Sequence, residues 1–253
     1  LALFIAGVGP GLIMIVLFII YSILYARTQP QLERVEKATW AERRQTGVRA
    51  FPTILLSGLV ITGIYRGWYT PTEAAAIGFA GALFVTGIVL RTLTLRALWE
   101  ATVMSMRTTV AILLIVAGAK VFGKAIALYR IPQDVSAFIA TNIDSAGLFI
   151  LVVAVVLLVM GLFMEALSML IIMMPVLAGS LMVLGVDPIW FGVFFVIMIE
   201  CALITPPVGL NLYVIQAVGG GTLGEISRGV LPFLLLMLLT VVAITFIPAI
   251  ALY

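Results

Sequence analysis

The chain has 253 residues, 64% of them apolar and only 10% charged, with a formal net charge of +3. Soluble domains average about 45–50% apolar and about 25% charged residues. Those figures exclude a water-soluble fold, a disordered tail and a nucleic-acid surface, since each needs polar or charged groups this chain lacks. The apolar runs are long and continuous, not alternating over short strands, and so point to membrane helices instead of a β-barrel. With no His and a single cysteine, Cys201, the chain offers no imidazole base, no intrachain disulfide and no thiolate cluster for a metal.

A spanning helix needs roughly 20 mostly apolar residues. Residues 3–25 supply the first, interrupted by Gly7, Gly9, Pro10 and Gly11, which membrane helices tolerate when neighbours satisfy the freed backbone. The chain opens on this run with no basic segment ahead of it, which reads as a span instead of a signal peptide and as part of a longer protein. Residues 27–49 are polar, with Arg27, Arg34, Lys37, Arg43, Arg44 and Arg49 against Glu33, Glu36 and Glu42. They read as a solvated loop with a short surface helix, cytoplasmic by its positive charge.

Residues 50–65 and 74–90 form two apolar arms around Arg66-Gly67-Trp68-Tyr69-Thr70-Pro71-Thr72-Glu73. Here Thr70 is placed to cap a helix that starts at Pro71, with Glu73 on its positive end. Residues 91–107 are amphipathic, with Arg91, Arg96, Glu100 and Arg107 among leucines, and suit a helix lying along the membrane surface. Residues 108–129 form a span containing Lys120 and Lys124, and 131–143 a short surface helix.

Residues 148–164 are firmly apolar and run without a loop into Glu165-Ala166-Leu167-Ser168 and a further apolar stretch, 169–184. Asp187 before Pro188 is placed to cap the next helix. That helix, 189–204, is stopped by Thr205-Pro206-Pro207-Val208-Gly209-Leu210-Asn211 before apolar character resumes at 212–218. Each arm is too short to cross hydrocarbon, and two prolines and a glycine do not continue a helix. A polar break at 219–228 and a final span at 230–252 complete the chain.

Short arms around a Pro/Gly break indicate a re-entrant hairpin or an unwound span. Irregular backbone at membrane depth persists only where it lines a cavity or is buried in protein. Its free carbonyls then coordinate cations, and its helix N-termini face anions. The hydroxyls of Thr205 and Ser168 and the amide of Asn211 add neutral ligands suited to Na⁺; the bland alternative is a proline kink or a surface turn. For Glu165, a costly carboxylate in an apolar stretch, the readings are a helix cap, a pair with Lys120 or Lys124, or a place beside a cation. Glu200 poses the same question. The clustered Met169, Met173 and Met174 read as packing, Cys201 as a core residue, and Gly219-Gly220-Gly221 lacks the spacing of a nucleotide loop.

Four stretches resemble the large membrane subunit of tripartite ATP-independent periplasmic (TRAP) transporters, DctM-type. These are Tyr69-Thr70-Pro71-Thr72-Glu73-Ala74-Ala75-Ala76, Gly161-Leu162-Phe163-Met164-Glu165-Ala166, Asp187-Pro188-Ile189-Trp190-Phe191-Gly192-Val193, and above all residues 203–211. The likeness covers nearly the whole chain but only the C-terminal part of such a subunit. It implies an all-α integral membrane protein, a multi-span bundle with a re-entrant helical hairpin and broken helices, forming half of an elevator-type transporter. The implied function is Na⁺-coupled uptake of a carboxylate-bearing solute, a C4-dicarboxylate or sialic acid for example, across the inner membrane. The implied partners are a small four-helix membrane subunit, a periplasmic substrate-binding protein and the lipid bilayer.

By the same likeness, residues 1–107 hold a connecting span, a cytoplasmic loop, scaffold helices and an arm. Residues 108–229 form a transport-domain repeat with its hairpin at 189–218, and 230–253 the final helix. Thr205, Gly209, Gly161 and Glu165 are implied for Na⁺, and Ser168, Pro206, Pro207, Val208 and Asn211 for the solute. The family's first repeat has no counterpart here, so this stretch alone is expected not to transport.

Two other membrane functions and an enzyme match the residues less well. The membrane subunit of an ATP-driven importer carries an EAA-plus-Gly loop; Glu73-Ala74-Ala75 and Gly78 approach it, but the glycine falls one residue early and between apolar arms. A passive channel also lines its pore with polar breaks. An intramembrane protease is disfavoured: there is no His for a serine triad, and Asp134, Asp144 and Asp187 fall at expected helix ends.

Overall fold

The structure, a computed structural model, describes residues 2–28, 38–143, 145–207 and 209–252. Part of the polar stretch, 29–37, lies outside the described residues, as does Val208 of the solute set. Regular structure among the described residues is helical. It comprises α1 Ala2–Ala6, α2 Val8–Thr28, α3 Trp40–Tyr65, α4 Pro71–Phe84 continued by a π-turn at Val85–Val89, α5 Leu95–Leu128, α6 Ile131–Asn142, α7 Ala146–Met160, α8 Ala166–Val183, α9 Pro188–Leu203, α10 Leu210–Gly219, α11 Leu223–Phe246 and α12 Ala249–Leu252. Six segments among the described residues are long and apolar enough to cross a membrane, while α7, α9 and α10 are apolar but shorter. The expected all-α membrane bundle is therefore found.

The chain packs as two compact units, one of residues 28–111 and one of residues 2–27 with 112–253. In the first, α3 and α4 form an antiparallel hairpin. Small residues let the helices approach: Gly81 lies against Leu56 and Gly78 against Val60, and a side chain at Gly63 would occupy the Tyr69 ring. The turn satisfies its own backbone. Gly67 takes a positive φ of 70° past the end of α3, and the N–H groups of Arg66, Gly67 and Trp68 bond to Thr62, Ile64 and Gly63 carbonyls. The Tyr69 hydroxyl donates to the Leu59 carbonyl at 2.6 Å. Thr70 and Glu73 form the anticipated capping box on α4.

Several boundaries differ from the sequence reading. Residues 40–49 are not part of a loop; they are the opening turns of α3, nucleated by a capping box of Thr39 with Glu42. The S/T-x-x-E signature stood within the charged run, whose arginines mask it without opposing helix formation. The amphipathic arm and the following span are one continuous helix, α5. No proline, glycine or cap separates them, and the Thr108 hydroxyl donates back to the Met104 carbonyl instead of starting a new helix.

In the second unit α9 is the central element, packed by α1, α7, α8, α10, α11 and α12. Apart from Glu200 its side chains are apolar, as suits a largely buried helix, with Phe191, Phe194, Phe195, Met198, Cys201 and Ala202 buried. Trp190 stacks on Phe194 with ring centroids 5.5 Å apart. Its indole N–H donates to the Ile244 carbonyl at 2.9 Å. That oxygen needs an outside donor because residue 248, four ahead, is a proline, and α11 ends at Phe246 for the same reason. The short helix expected at 131–143 is α6; it packs one face on α8, with Ile139 buried and Ser136 facing Ser180 at 3.3 Å, while most of its other described residues are exposed. The final span starts earlier than expected, because Thr222 and Glu225 form a capping box in the polar break.

Candidate functional site: two helix breaks side by side

Both interrupted helices foreseen from the sequence are present in the second unit. The first break separates α7 from α8 at 161–165, the second separates α9 from α10 at 204–209. They are neighbours: a Cβ placed on Gly161 would collide with the Cβ of Ala202 and lie 3.0 Å from its backbone. Glycine at 161 is therefore what lets the first break seat against the last turn of α9.

At the second break the backbone chemistry follows from the two prolines. An α-helix leaves its last four carbonyls without intrahelical donors. Pro206 and Pro207 remove the amides that would have bonded the carbonyls of Ala202 and Leu203. The Ala202 oxygen recovers a donor from Thr205, at 3.2 Å. Among the described residues no N–H bonds the carbonyls of Leu203 or Thr205. Both oxygens converge on Gly209, each 2.9 Å from where its Cβ would stand. Gly209 itself has φ 35° and is buried. No side chain caps α10, and the peptide between Pro206 and Pro207 is cis.

The Thr205 hydroxyl donates to the Cys201 carbonyl at 2.6 Å. Its proton is committed there, which leaves its oxygen lone pairs to act as acceptor or ligand. Asn211, in the first turn of α10, is half-buried and its amide makes no hydrogen bond among the described residues. Pro206 is half-buried and Pro207 exposed.

The first break is closed by Glu165. Its carboxylate accepts from the Ser168 N–H and from the Ser168 hydroxyl, both at 3.0 Å, and so caps α8. Of the readings open for Glu165 the cap is realised; no ion pair joins it to Lys120 or Lys124 among the described residues, and both lysines are exposed. A carboxylate at a helix N-terminus is stabilised by the dipole, so the positive end of α8 is already occupied. Glu200 is exposed on α9. Glu165 and Ser168 bond each other; no hydrogen bond links them to Thr205 or Asn211 among the described residues.

Three or more His, Cys, Asp or Glu do not gather anywhere among the described residues. The oxygens on offer at the tip are neutral carbonyls and a hydroxyl, a hard donor set for a cation of low charge. Sequence reasoning named Thr205, Gly209 and Gly161, which the structure brings to the two breaks. It missed Leu203, whose carbonyl is freed by a proline four residues on, and Ala202, the surface that Gly161 needs. The proline spacing carried the first signal; only packing carries the second.

A multi-pass helical membrane protein with two abutting helix breaks, one capped and the other leaving carbonyls without donors among the described residues, has the architecture of a solute carrier. Comparison with known families agrees: the family described as tripartite ATP-independent periplasmic transporter, DctM component, matches residues 1–250. The chain belongs to that family. It is 37% identical, over 99% of its length, to the C4-dicarboxylate TRAP transporter large permease protein DctM of Pseudomonas aeruginosa, covering 58% of that protein. It is 34% identical to the sialic acid TRAP transporter large permease protein SiaM of Vibrio cholerae, over 96% of this chain and 57% of that one. To the 2,3-diketo-L-gulonate TRAP transporter large permease protein YiaN of Escherichia coli it is 33% identical, over 97% and 58%. The chain thus spans a little over half the length of these relatives. Family and apolar helices together fit a multi-pass protein of the bacterial inner membrane, and the relatives are transporter permeases, not enzymes.

Proposed function

We propose that this chain forms part of the large subunit of a TRAP transporter that takes up a carboxylate-bearing solute across the inner membrane, coupled to Na⁺. The observation that carries the Na⁺ reading is the pair of carbonyls, Leu203 and Thr205, that lack an N–H partner among the described residues and turn toward Gly209. With the Thr205 hydroxyl they supply the neutral oxygen set that a monovalent cation favours. The ion supplies positive charge to the tip when bound. Gly209 keeps the approach open, and Gly161 holds the second break's last helical turn in register through Ala202. Glu165 serves this site as the cap of α8 and contributes its charge from there.

The solute reading rests on the names of these three relatives, each of which denotes an acid, and on the uncapped N-terminus of α10. Its positive end and the Asn211 amide suit a carboxylate, with Ser168, Pro206, Pro207 and Val208 as neighbouring contacts. Residues 108–229 are assigned to a moving transport-domain repeat with its hairpin at 189–218. Residues 1–107 are assigned to a connecting and scaffold segment, and 230–253 to the closing helix of an elevator. A small four-helix membrane subunit and a periplasmic binding protein complete the proposed machine.

The test is uptake of radiolabelled C4-dicarboxylate or sialic acid by the full-length transporter in proteoliposomes, with its binding protein present. Uptake that saturates, requires a Na⁺ gradient and persists without ATP supports the reading. Uptake indifferent to Na⁺ overturns the coupling, and non-saturable flux would assign a channel instead.

A further inference from the structure

The tip of the second hairpin sets three atoms around one point. A Cβ on Gly209 would meet the carbonyl oxygens of Leu203 and Thr205 at 2.9 Å each and the Leu212 Cδ1 methyl at 3.1 Å. The two oxygens are those that no N–H bonds among the described residues. The methyl belongs to a side chain with no exposed surface. Leu212 is the one buried residue of α10, while Tyr213, Val214, Ile215 and Val218 on the same helix are exposed. Its amide is tied to the same glycine, donating to the Gly209 carbonyl at 2.8 Å.

A carbonyl inside a helix is held by its hydrogen bond. These two lack that restraint, so the groups packed around them set their spacing. Oxygen cages discriminate cations by cavity size, ligand number and the freedom of the ligands. A methyl group seated on the same glycine limits how far the two oxygens can spread. It also shuts water out on its side, where a lower local dielectric strengthens the pull of the oxygens on an ion. A fully buried leucine is ordinarily core filling alone; the place of this methyl, beside both oxygens, gives it a second role.

We propose that Leu212 is a positioning residue of the cation site. Its side chain fixes the spacing of the Leu203 and Thr205 oxygens, and with it the preference for Na⁺ over the larger K⁺. This rests on the Na⁺ reading given above and names the residue that tunes it.

The full-length transporter is reconstituted in proteoliposomes with its binding protein, and uptake of labelled C4-dicarboxylate or sialic acid is titrated with Na⁺, replaced either by choline or by K⁺. Leu212→Ala is expected to raise the half-maximal Na⁺ concentration about tenfold and Leu212→Val about threefold. In both variants K⁺ competes, so the half-maximal Na⁺ concentration rises further when K⁺ stands in for choline. The solute KM at saturating Na⁺ stays within about twofold of wild type. Leu212→Met, which conserves volume, keeps the titration within about twofold of wild type. Leu181, a buried leucine in the last turn of α8, is the control for lost packing. Leu181→Ala lowers Tm as Leu212→Ala does, but leaves the Na⁺ titration and the K⁺ response unmoved. Should Leu212→Ala not fold, Leu212→Val carries the comparison. Na⁺-driven wild-type uptake with an unmoved titration and K⁺ response in the Leu212 variants overturns this inference alone. So does an equal shift in Leu181→Ala, which would mark a general loss of stability. Wild-type uptake indifferent to Na⁺ overturns the Na⁺ reading and this inference together.

Discussion

Two hairpins in this protein are built from similar ingredients and end up in opposite chemical states. Each pairs a helix ending near a glycine with a second helix preceded by a Thr-Pro step: Thr70-Pro71 in the first unit, Thr205-Pro206-Pro207 in the second. At 66–70 the turn caps itself. The Thr70 hydroxyl accepts from the Glu73 amide, the Glu73 carboxylate accepts from the Thr70 amide, and Tyr69 covers a carbonyl of α3. At 204–209 the Thr205 hydroxyl turns back to Cys201, a second proline removes a further donor, and α10 begins at Leu210 with no side-chain cap. One turn closes on itself; the other, among the described residues, leaves two carbonyls without an N–H donor and a helix end without a side-chain cap. Buried or membrane-embedded oxygens left without donors are costly, so the open turn is the one that calls for a ligand.

The comparison is broken most directly at Gly209. Gly209→Leu puts a Cβ about 2.9 Å from the Leu203 and Thr205 carbonyls, and Na⁺-dependent uptake by the full-length transporter is expected to vanish while membrane expression stays normal. Undiminished uptake would remove the open tip from the mechanism. Gly161→Leu is next: its side chain collides with Ala202, at a cost of about 1–3 kcal/mol for overpacking. A lowered Tm with impaired uptake is the expected result, relieved in part by Ala202→Gly, and an unaltered Tm would show that the two breaks do not need this contact.

Thr205→Ala removes one of the proposed oxygens and leaves the backbone carbonyls. The Na⁺ concentration for half-maximal uptake should rise about tenfold, the equivalent of about 1.4 kcal/mol; an unchanged Na⁺ titration would take the hydroxyl off the ligand list. The smallest effect belongs to the closed hairpin. Thr70→Ala should cost about 1 kcal/mol of stability through the lost cap, read as a modest fall in Tm, with the Na⁺ titration unmoved. A shifted titration would mean that the closed turn also serves transport.

Much of the fold was legible because its signals are local. Length and hydropathy marked the spans, Asp187 and Thr70 announced helix starts, and prolines announced stops. The misplaced boundaries at Trp40 and Leu223 arose where capping boxes, Thr39 with Glu42 and Thr222 with Glu225, sat inside charged or glycine-rich stretches that resemble loops. The merger of the amphipathic arm with the next span in α5 is hidden because composition changes along it while helix propensity does not. The seating of one face of α6 on α8 depends on a distant serine and glycine, Ser180 and Gly179, which no local pattern reveals.

By itself the amino-acid order determined that this is a membrane protein of helices, that two of those helices are interrupted, and which amides near the twin prolines are missing. These are covalent and short-range properties: a proline has no N–H wherever it is placed. Tertiary packing alone decided that the interruptions touch through Gly161 and Ala202. Which groups meet across about 40 residues of chain depends on how α7 and α8 seat against α9, and that is a matter of packed volume.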